Sequence, residues 1–333
     1  MIDTPDAILN TIADDLLLKI RRRPGQPVRL SSLEKSLKVN RNTVEEALAL
    51  LASYDYRLKK RKETVTFVAS PDALTATEIT YKLKTRWLGL QVMAFNSIKS
   101  TNDIATQMAE QGAAEGTIVT AEKQTRGRGR FSRSWFSPAG TGIYLSIILR
   151  PEFPPENAPG ISVMTAVALA DVLSGYCPGE IRIKWPNDVL ACGKKIAGIL
   201  TELSAERNRI NYVIVGVGIN VNHGAGNFPE EIRRTATSLR RCLKRKVNRV
   251  ELLQSFLVQF EKQYNSYRQH RLRKSLPRIR RYSSLIGQEV KVRSGRTVIE
   301  GKAVDINADG CLILERDGRR TTISAGEVTV IKH

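Results

Sequence analysis

The 333-residue chain is poor in several things that would settle its class at once. It has four cysteines, Cys177, Cys192, Cys242 and Cys311. They are too scattered for a disulfide framework or a CxxC metal signature, so they are expected to be reduced and structural. No apolar run approaches the roughly 18 residues that span a bilayer, and the opening Met-Ile-Asp-Thr-Pro-Asp lacks the basic and apolar regions of a secretory leader. These absences predict a cytoplasmic protein with no membrane partner. Acid is also scarce: 33 Asp and Glu stand against 53 Lys and Arg, a net charge of +20, which predicts a polyanionic partner. Residues 240–333 carry most of the excess, with 22 basic and 9 acidic side chains. Its densest run, Arg268–Arg281, reads as a solvated helix face and basic connector, with a nucleic-acid stripe as the alternative. What remains, 41% apolar residues, suffices for about two domains with cores of their own.

Along residues 7–23 the apolar Ile8, Ile12, Leu16 and Ile20 fall on one helical face that stops at Arg-Arg-Arg-Pro-Gly. Ser31 and Glu34 have the spacing of a capping box for a short second helix. Asn40 would cap a third, with Val44, Ala47, Leu48 and Leu51 inward and Arg41, Asn42 and Thr43 at its exposed start. Two helices so closely joined suggest a helix-turn-helix, and the alternating stretch 57–68 suggests a wing with basic tips. DNA binding through Arg41, Asn42 and Thr43 and a structural or dimerising role are both compatible with this pattern. Glu45 and Glu46 would repel phosphates. Residues 1–69 form this unit, and 70–80, with turn formers and no strong period, form a linker.

The next region, 81–282, alternates strands (116–122, 141–149, 180–184, 196–202, 210–219) with helices (101–111, 162–173), which predicts an α+β fold with a mixed sheet. Function on such a scaffold belongs to the loops at strand ends. The loop Gln124-Thr-Arg-Gly-Arg-Gly-Arg-Phe-Ser-Arg-Ser-Trp135 stands out. Gly127 and Gly129 would permit close backbone approach and positive φ, while Arg128, Arg130 and Arg133 offer donors matched to carboxylate or phosphate oxygens. Neither the dinucleotide fingerprint nor the Walker loop fits this spacing. An exposed basic loop or an RNA-binding segment is the alternative reading of the loop taken alone.

Two further stretches complement it. Lys184-Trp-Pro-Asn-Asp188 ends a strand with an amide and a carboxylate, Asn187 and Asp188. Asp188 is suited to Mg²⁺ shared with substrate phosphates. Lys195 precedes the strand Ile196-Ala-Gly-Ile-Leu, where its ammonium could oppose charge developing on an α-phosphate. Taken singly, Asp188 reads as a turn residue and Lys195 as a surface lysine. Residues 283–333 contain short alternating strands with Asp309-Gly and Asp317-Gly turns, a small barrel by pattern.

Ser100-Thr-Asn102, the loop at 124–135, KWPND at 184–188, Lys195-Ile-Ala-Gly198, GVGINVN at 216–222, Phe228-Pro and Ala236-Thr-Ser-Leu239 occur in this order. The series resembles the biotin protein ligases; with the N-terminal helices and the C-terminal strands at 287–330 the likeness covers nearly the whole chain and matches their bifunctional bacterial form, which also represses the biotin operon. The resemblance implies three parts: a winged helix-turn-helix, a catalytic domain like the class II aminoacyl-tRNA synthetase core, and a C-terminal SH3-like barrel. It implies activation of biotin by ATP to biotinyl-5′-adenylate, with Mg²⁺, and transfer to one lysine of a biotin carboxyl carrier domain. Operator DNA would be a further partner, and the adenylate-bound form a homodimer. Carried over residue by residue, Ser100, Thr101, Asn102, Gln124, Gly127, Arg128, Arg130, Lys195 and Gly198 would bind biotin. Arg130, Arg133, Trp135, Asn187, Asp188 and Asn220 would bind ATP. Lys195, Arg130 and Arg133 would be catalytic, Asp188 would hold the metal, and the glycines of 215–219 would allow close approach of biotin or adenylate.

Two positions depart from the family loop, which usually runs GRGRxGR. Ser132 takes a glycine position, where a Cβ is strained if φ is positive, and Arg126 adds a charge. Two other activities are the alternatives: an adenylate-sensing DNA-binding regulator without transfer, and another acyl-adenylating ligase such as a lipoate ligase, which would lack the GRGRxxRxW spacing.

Overall fold

A computed structural model of the chain describes residues 5–295 and 297–331. The chain divides after Asp72 into two compact units. The first contains helices α1 (Pro5–Ile20), α2 (Leu30–Leu37) and α3 (Arg41–Ser53) and strands β1 (Pro27–Arg29), β2 (Arg57–Arg61) and β3 (Thr64–Ala69), paired antiparallel in the order β1-β3-β2. The Asn40 side chain accepts from Thr43 N–H at 2.9 Å and caps α3, satisfying a helix-end donor that would otherwise be orphaned. Val44, Ala47, Leu48 and Leu51 then face inward onto Leu16, Leu17, Ile20 and Leu33.

Three expectations change here. Helix α1 ends at Ile20 rather than Arg23, and Gly25 turns the chain at φ 77. The capping box does not form: α2 begins at Leu30 with no side-chain cap bond, and Glu34 instead accepts from Arg41. The Arg41 guanidinium, expected to face solvent, sits among Glu34 (3.1 Å), Glu45 (3.2 Å) and Glu63 (3.4 Å) and donates to the Lys62 carbonyl. Lys60 also pairs with Glu45, holding that carboxyl below its ordinary range by hydrogen bonding. Glu45 of α3 is thus neutralised within the unit.

The second unit begins with α4 (Ala76–Thr80), β4 (Val92–Ile98), α5 (Thr101–Glu110), β5 (Ile118–Gln124) and β6 (Gly142–Leu149). It continues through α6 (Pro159–Tyr176), β7 (Ile181–Lys184), β8 (Asp188–Ala191), β9 (Lys194–Glu206) and β10 (Arg209–Asn220). Helices α7 (Glu230–Arg233), α8 (Leu239–Leu243), α9 (Arg249–His270) and α10 (Leu276–Tyr282) follow. The seven strands make one sheet in the order β4-β5-β6-β10-β9-β8-β7, with β4 and β5 parallel and every other neighbour antiparallel. This is the mixed sheet that the sequence predicts. Residues 180–188 hold one strand more than expected, so Asp188 opens β8 after a turn rather than closing β7.

Strand alternation assigns the two faces. Ile147, Leu149, Val213, Val215 and Val217 join the large core beneath α6 and α9, whereas Ile148, Ile214 and Val119 pack on the other side against Ala105 and Ala109 of α5. The stretch Pro155–Tyr176 has the length and apolar composition of a membrane span, with a mean hydropathy of 1.4. This corrects the expectation that no such run exists. Its burial comes from its place in the core, with 67% of that window covered.

The expected surface run 268–281 is partly structural. Arg278 donates to Asp171 at 2.8 Å, and Arg280 grips Asp305 with two bonds of 2.9 and 2.8 Å. After α10 come β11 (Glu289–Ser294), β12 (Thr297–Ile306), β13 (Leu312–Arg316), β14 (Arg319–Ile323) and β15 (Glu327–Val330), an antiparallel sheet in the order β14-β13-β12-β11-β15. Asp317 and Gly318, both at positive φ, make the two-residue turn between β13 and β14.

Candidate functional site

The site lies on the α5 face of the mixed sheet. The alternation that buries Val215, Val217 and Ile219 turns Gly216 and Gly218 to this side. Register places Gly216 between Ser146 and Leu200, and Gly218 between Tyr144 and Gly198. The floor is therefore low, but its glycines are already occupied. A Cβ at Gly216 would lie 2.2 Å from the Asn102 amide oxygen, and one at Gly218 would lie 2.4 Å from the Trp135 indole. Both glycines make room for protein side chains, and both also line the smaller of the two chambers above them.

Two adjoining chambers stand on this floor. The smaller, about 50 Å³, is walled by Ser100, Thr101, Asn102, Gln124, Arg128 and Gly198 among others. The larger, about 240 Å³, is lined by Arg133, Trp185, Asp188, Asn220, Thr235 and Glu327 among others. Gly129, Arg130, Trp135, Asn187 and Lys195 line both. The structure thus brings together all the expected biotin- and ATP-binding positions except Gly127, which packs within the loop against Trp135, Ser137 and Gln124.

In the smaller chamber, the start of α5 is held by Gln124, whose Oε1 accepts from Thr101 N–H at 2.8 Å and Thr101 Oγ1 at 3.1 Å. Gln124 Nε2 donates to Ser137 Oγ at 2.9 Å. Ser146 Oγ lies 2.8 Å from Thr101 Oγ1 and 2.6 Å from Asn102 Oδ1. Asn102 donates to Glu202 at 2.5 Å. Ser137, Ser146 and Glu202 escape motif reading because each lies in an ordinary strand or loop context, and only strand register brings them here.

The arginine loop departs from expectation in its backbone. Gly127 and Gly129 are not at positive φ; Phe131 and Ser132 are, at 56° and 58°. Gly127 is needed because a Cβ there would meet the Trp135 carbonyl at 2.6 Å, while one at Gly129 would make ordinary contact at 3.4 Å. Arg128 reaches Asp103 at 2.8 Å and grips Glu202 with bonds of 2.9 and 3.0 Å, tying the loop to α5 and β9. Arg130 donates to Asn187 Oδ1 at 3.0 Å, and burial lowers its pKa from the usual guanidinium value. Arg133 pairs with Glu327 on β15. Glu327 faces the larger chamber.

A Cβ costs about 1–2 kcal/mol in the left-handed region, and glycine's added entropy about 0.5–1 kcal/mol. Ser132→Gly is therefore expected to favour the closed loop and slow trypsin cleavage within 126–133 a few fold. Equal or faster cleavage would refute the strain.

Lys195 stands where the chambers join. Its ammonium is 2.7 Å from Asp188 Oδ1 and 5.3 Å from the centre of the Trp135 ring. Its backbone is clamped on both sides, N–H donating to Thr235 O at 2.8 Å and C=O accepting from Thr237 N–H at 2.9 Å. The buried Trp135 indole N–H has no hydrogen-bond partner among the described residues, leaving a donor at this junction. No group of three His, Cys, Asp or Glu side chains converges among the described residues. Asp188, beside Asn187 and Asn220, therefore fits a hard cation only when substrate phosphates complete its shell.

Behind the site, buried His223 stacks on Phe228 at 4.8 Å, and its Nε2 lies 3.2 Å from Thr141 Oγ1. Burial, with Arg249 adding, pushes its pKa down to about 4. The unfolded chain, with His near its ordinary 6.5, therefore takes up the proton first as pH falls. The neutral ring's contribution is complete above pH 6.5 and is lost down to about pH 4, amounting to about 3 kcal/mol by linkage. Melting midpoints at pH 7 and pH 5 should draw closer in His223→Gln, and a difference as large as in the parent would exclude this.

Comparison with known proteins gives concordant matches. The model of the biotin/lipoate A/B protein ligase family matches residues 94–220, and that of the biotin protein ligase C-terminal domain matches residues 285–330. The chain is 35% identical over 318 residues to the bifunctional ligase/repressor BirA of Bacillus spizizenii, covering 95% of this chain and 98% of that protein. It is 34% identical over 253 residues to the biotin–[acetyl-CoA-carboxylase] ligase of Mycobacterium tuberculosis, covering 74% and 90%. Among solved structures, the biotin protein ligase of Aquifex aeolicus in complex with biotin and ATP aligns with a TM-score of 0.63 at 28% identity, over 73% of this chain and all of that one.

Proposed function

The chain belongs to the biotin protein ligase family, and from that premise we propose the following chemistry for its site. The protein is an ATP-dependent ligase that joins biotin to a specific lysine of a biotin carboxyl carrier domain. Biotin occupies the smaller chamber, framed by Ser100, Thr101, Asn102, Gln124, Arg128 and Gly198, with Gly127 shaping the loop over it. ATP occupies the larger, against Arg133, Trp135, Asn187, Asp188 and Asn220. The observation that carries this assignment is the meeting of the chambers at Arg130 and Lys195.

A carboxylate and an α-phosphate repel each other, so their union needs fixed positive charge at the place where they meet. Lys195 and Arg130 supply it, and Arg133 extends it toward the leaving phosphates. The biotin carboxylate oxygen bonds to the α-phosphorus and pyrophosphate departs. The acceptor lysine's amine then bonds to the carbonyl carbon and AMP departs. Mg²⁺ arriving with the nucleotide would be held by Asp188 and would offset phosphate charge. Between the two steps the anhydride must be kept from water, and the loop tied down by Arg128 to Asp103 and Glu202 serves that end.

Residues 1–69 are proposed to be a winged helix-turn-helix and 81–282 a catalytic domain of class II synthetase type, with 283–333 an SH3-like barrel. Of the expected linker at 70–80, Leu74 and Ile79 are buried in the large core and 76–80 form α4, so the connector is shorter than expected. The relative named ligase/repressor supports biotin-responsive repression for this chain. The DNA-reading end is Arg41, Asn42 and Thr43, with Arg41 held by its acidic neighbours. The adenylate-bound form would be a homodimer acting in the cytoplasm. Incubation with ATP, biotin and apo-carrier should yield biotinylated carrier and AMP, and a gel shift with upstream DNA should strengthen when biotin and ATP are added. Adenylate without transfer would reduce the protein to a sensor.

A further inference from the structure

We propose that Cys192 and Cys242 are a modification site, forming a reversible disulfide beside the strand that carries Lys195. The two lie fifty positions apart in sequence, yet their sulfurs are 3.9 Å apart. Far apart in sequence and free thiols as expected, the two are brought together by the fold. A disulfide needs about 2.05 Å between sulfurs, so the closing movement is short. Cys192, exposed, forms with Gly193 the positive-φ turn between β8 and β9. Cys242, half-buried, sits in α8 behind the Ser238 cap. Both thiols open on a shallow cavity of about 520 Å³ whose rim carries Lys194, Arg240, Arg241 and Lys244.

That cationic rim favours an oxidant bearing carboxylates, such as a glutathione-type disulfide. In the reaction, the Cys192 thiolate attacks one sulfur of the small disulfide and expels the first small thiol. The Cys242 thiolate then attacks the Cys192 sulfur of the mixed disulfide and expels the second. Two protein thiols are oxidised while one small disulfide is reduced to two thiols. Although Cys192 is exposed as a residue, partial desolvation of its sulfur, with Cys242 and then Glu180 adding, pushes the thiol up to about 11. Exchange is therefore slow near neutrality and quickens as the pH rises.

The link would run parallel to bonds already present. Lys195 exchanges hydrogen bonds with Thr235 and Thr237 on the segment that leads into α8. Oxidation therefore ties together the same two segments and stiffens them. Cys177 is the competing partner. It is buried, and its thiol is pushed up to about 11 by burial, with Cys242 and Cys192 adding to the shift.

The test is to incubate the full chain with oxidised glutathione at pH 9, then map peptides and measure melting. A Cys192–Cys242 cross-linked peptide is expected, with a Tm higher by several degrees. Dithiothreitol should reverse both, and Cys192→Ser and Cys242→Ser should each abolish them while keeping the parent's reduced Tm. A cross-link through Cys177, a glutathione adduct that never resolves, or an unshifted Tm would each overturn the proposal.

Discussion

Lys195→Ala is expected to slow biotinyl-adenylate formation by on the order of 10²–10³-fold, the usual effect of deleting one preorganised charge-stabilising donor, while Tm changes little. The reasoning is geometric. The ammonium stands where the two chambers join, 2.7 Å from Asp188, and its strand is fixed by bonds to Thr235 and Thr237 that any side chain at 195 preserves. The ion pair is partly solvated, with the lysine side chain 35% exposed, so its loss costs the fold about 1 kcal/mol or less. Lys195→Arg should not rescue, because the ammonium already lies within 3.3 Å of the Cβ position at Gly198 and against the Trp135 ring, which leaves no room for a planar fork. ATP–pyrophosphate exchange measures the step directly. A rate within a few fold of the parent would remove Lys195 from the chemistry.

The second large effect concerns folding. Arg249, only 2% exposed, donates to Glu122 at 2.7 and 3.1 Å and to the Gly142 carbonyl at 3.1 Å. Glu122 also accepts from Leu74 N–H at 2.8 Å and Gly140 N–H at 3.2 Å. Arg249→Met removes the cation and leaves the half-buried Glu122 carboxylate, 19% exposed, without that charge, a change that costs about 3 kcal/mol, the low end for a fully buried pair. Glu122→Gln added to Arg249→Met should recover part of the loss, since the stranded charge is then gone. Denaturant midpoints of the parent, single and double variants decide the matter. A single variant within about 1 kcal/mol of the parent would show that the pair is not structurally needed.

Much of the fold was legible because local rules and tertiary packing agree. The Asn40 cap, the α3 apolar face and the pattern Val-Gly-Val-Gly-Ile all mean in the structure what their periods predict. Other elements were not read: β4 and the 22-residue α9 have no counterpart among the expected strands and helices. Three residues of β1 and four of β8 are too few to display a period, and they exist because neighbouring strands pair with them. In the site, residues contiguous with a motif were found, whereas Ser137, Ser146, Glu202 and Glu327 depend on register or on a distant sheet. Arginine type was read correctly, but partners were not. Arg128 and Arg133 look like free anion donors in sequence, yet each already holds a carboxylate of its own chain.

The floor beneath the two chambers has a further consequence for what substitution this chain can tolerate. Along β10, even a methyl group at position 216 or 218 must evict an amide or an indole, while the valines between them need only keep their volume within the core. A saturation scan of that strand should therefore come out striped, intolerant and permissive positions taking turns, so that a growth assay would trace the pleat of the sheet.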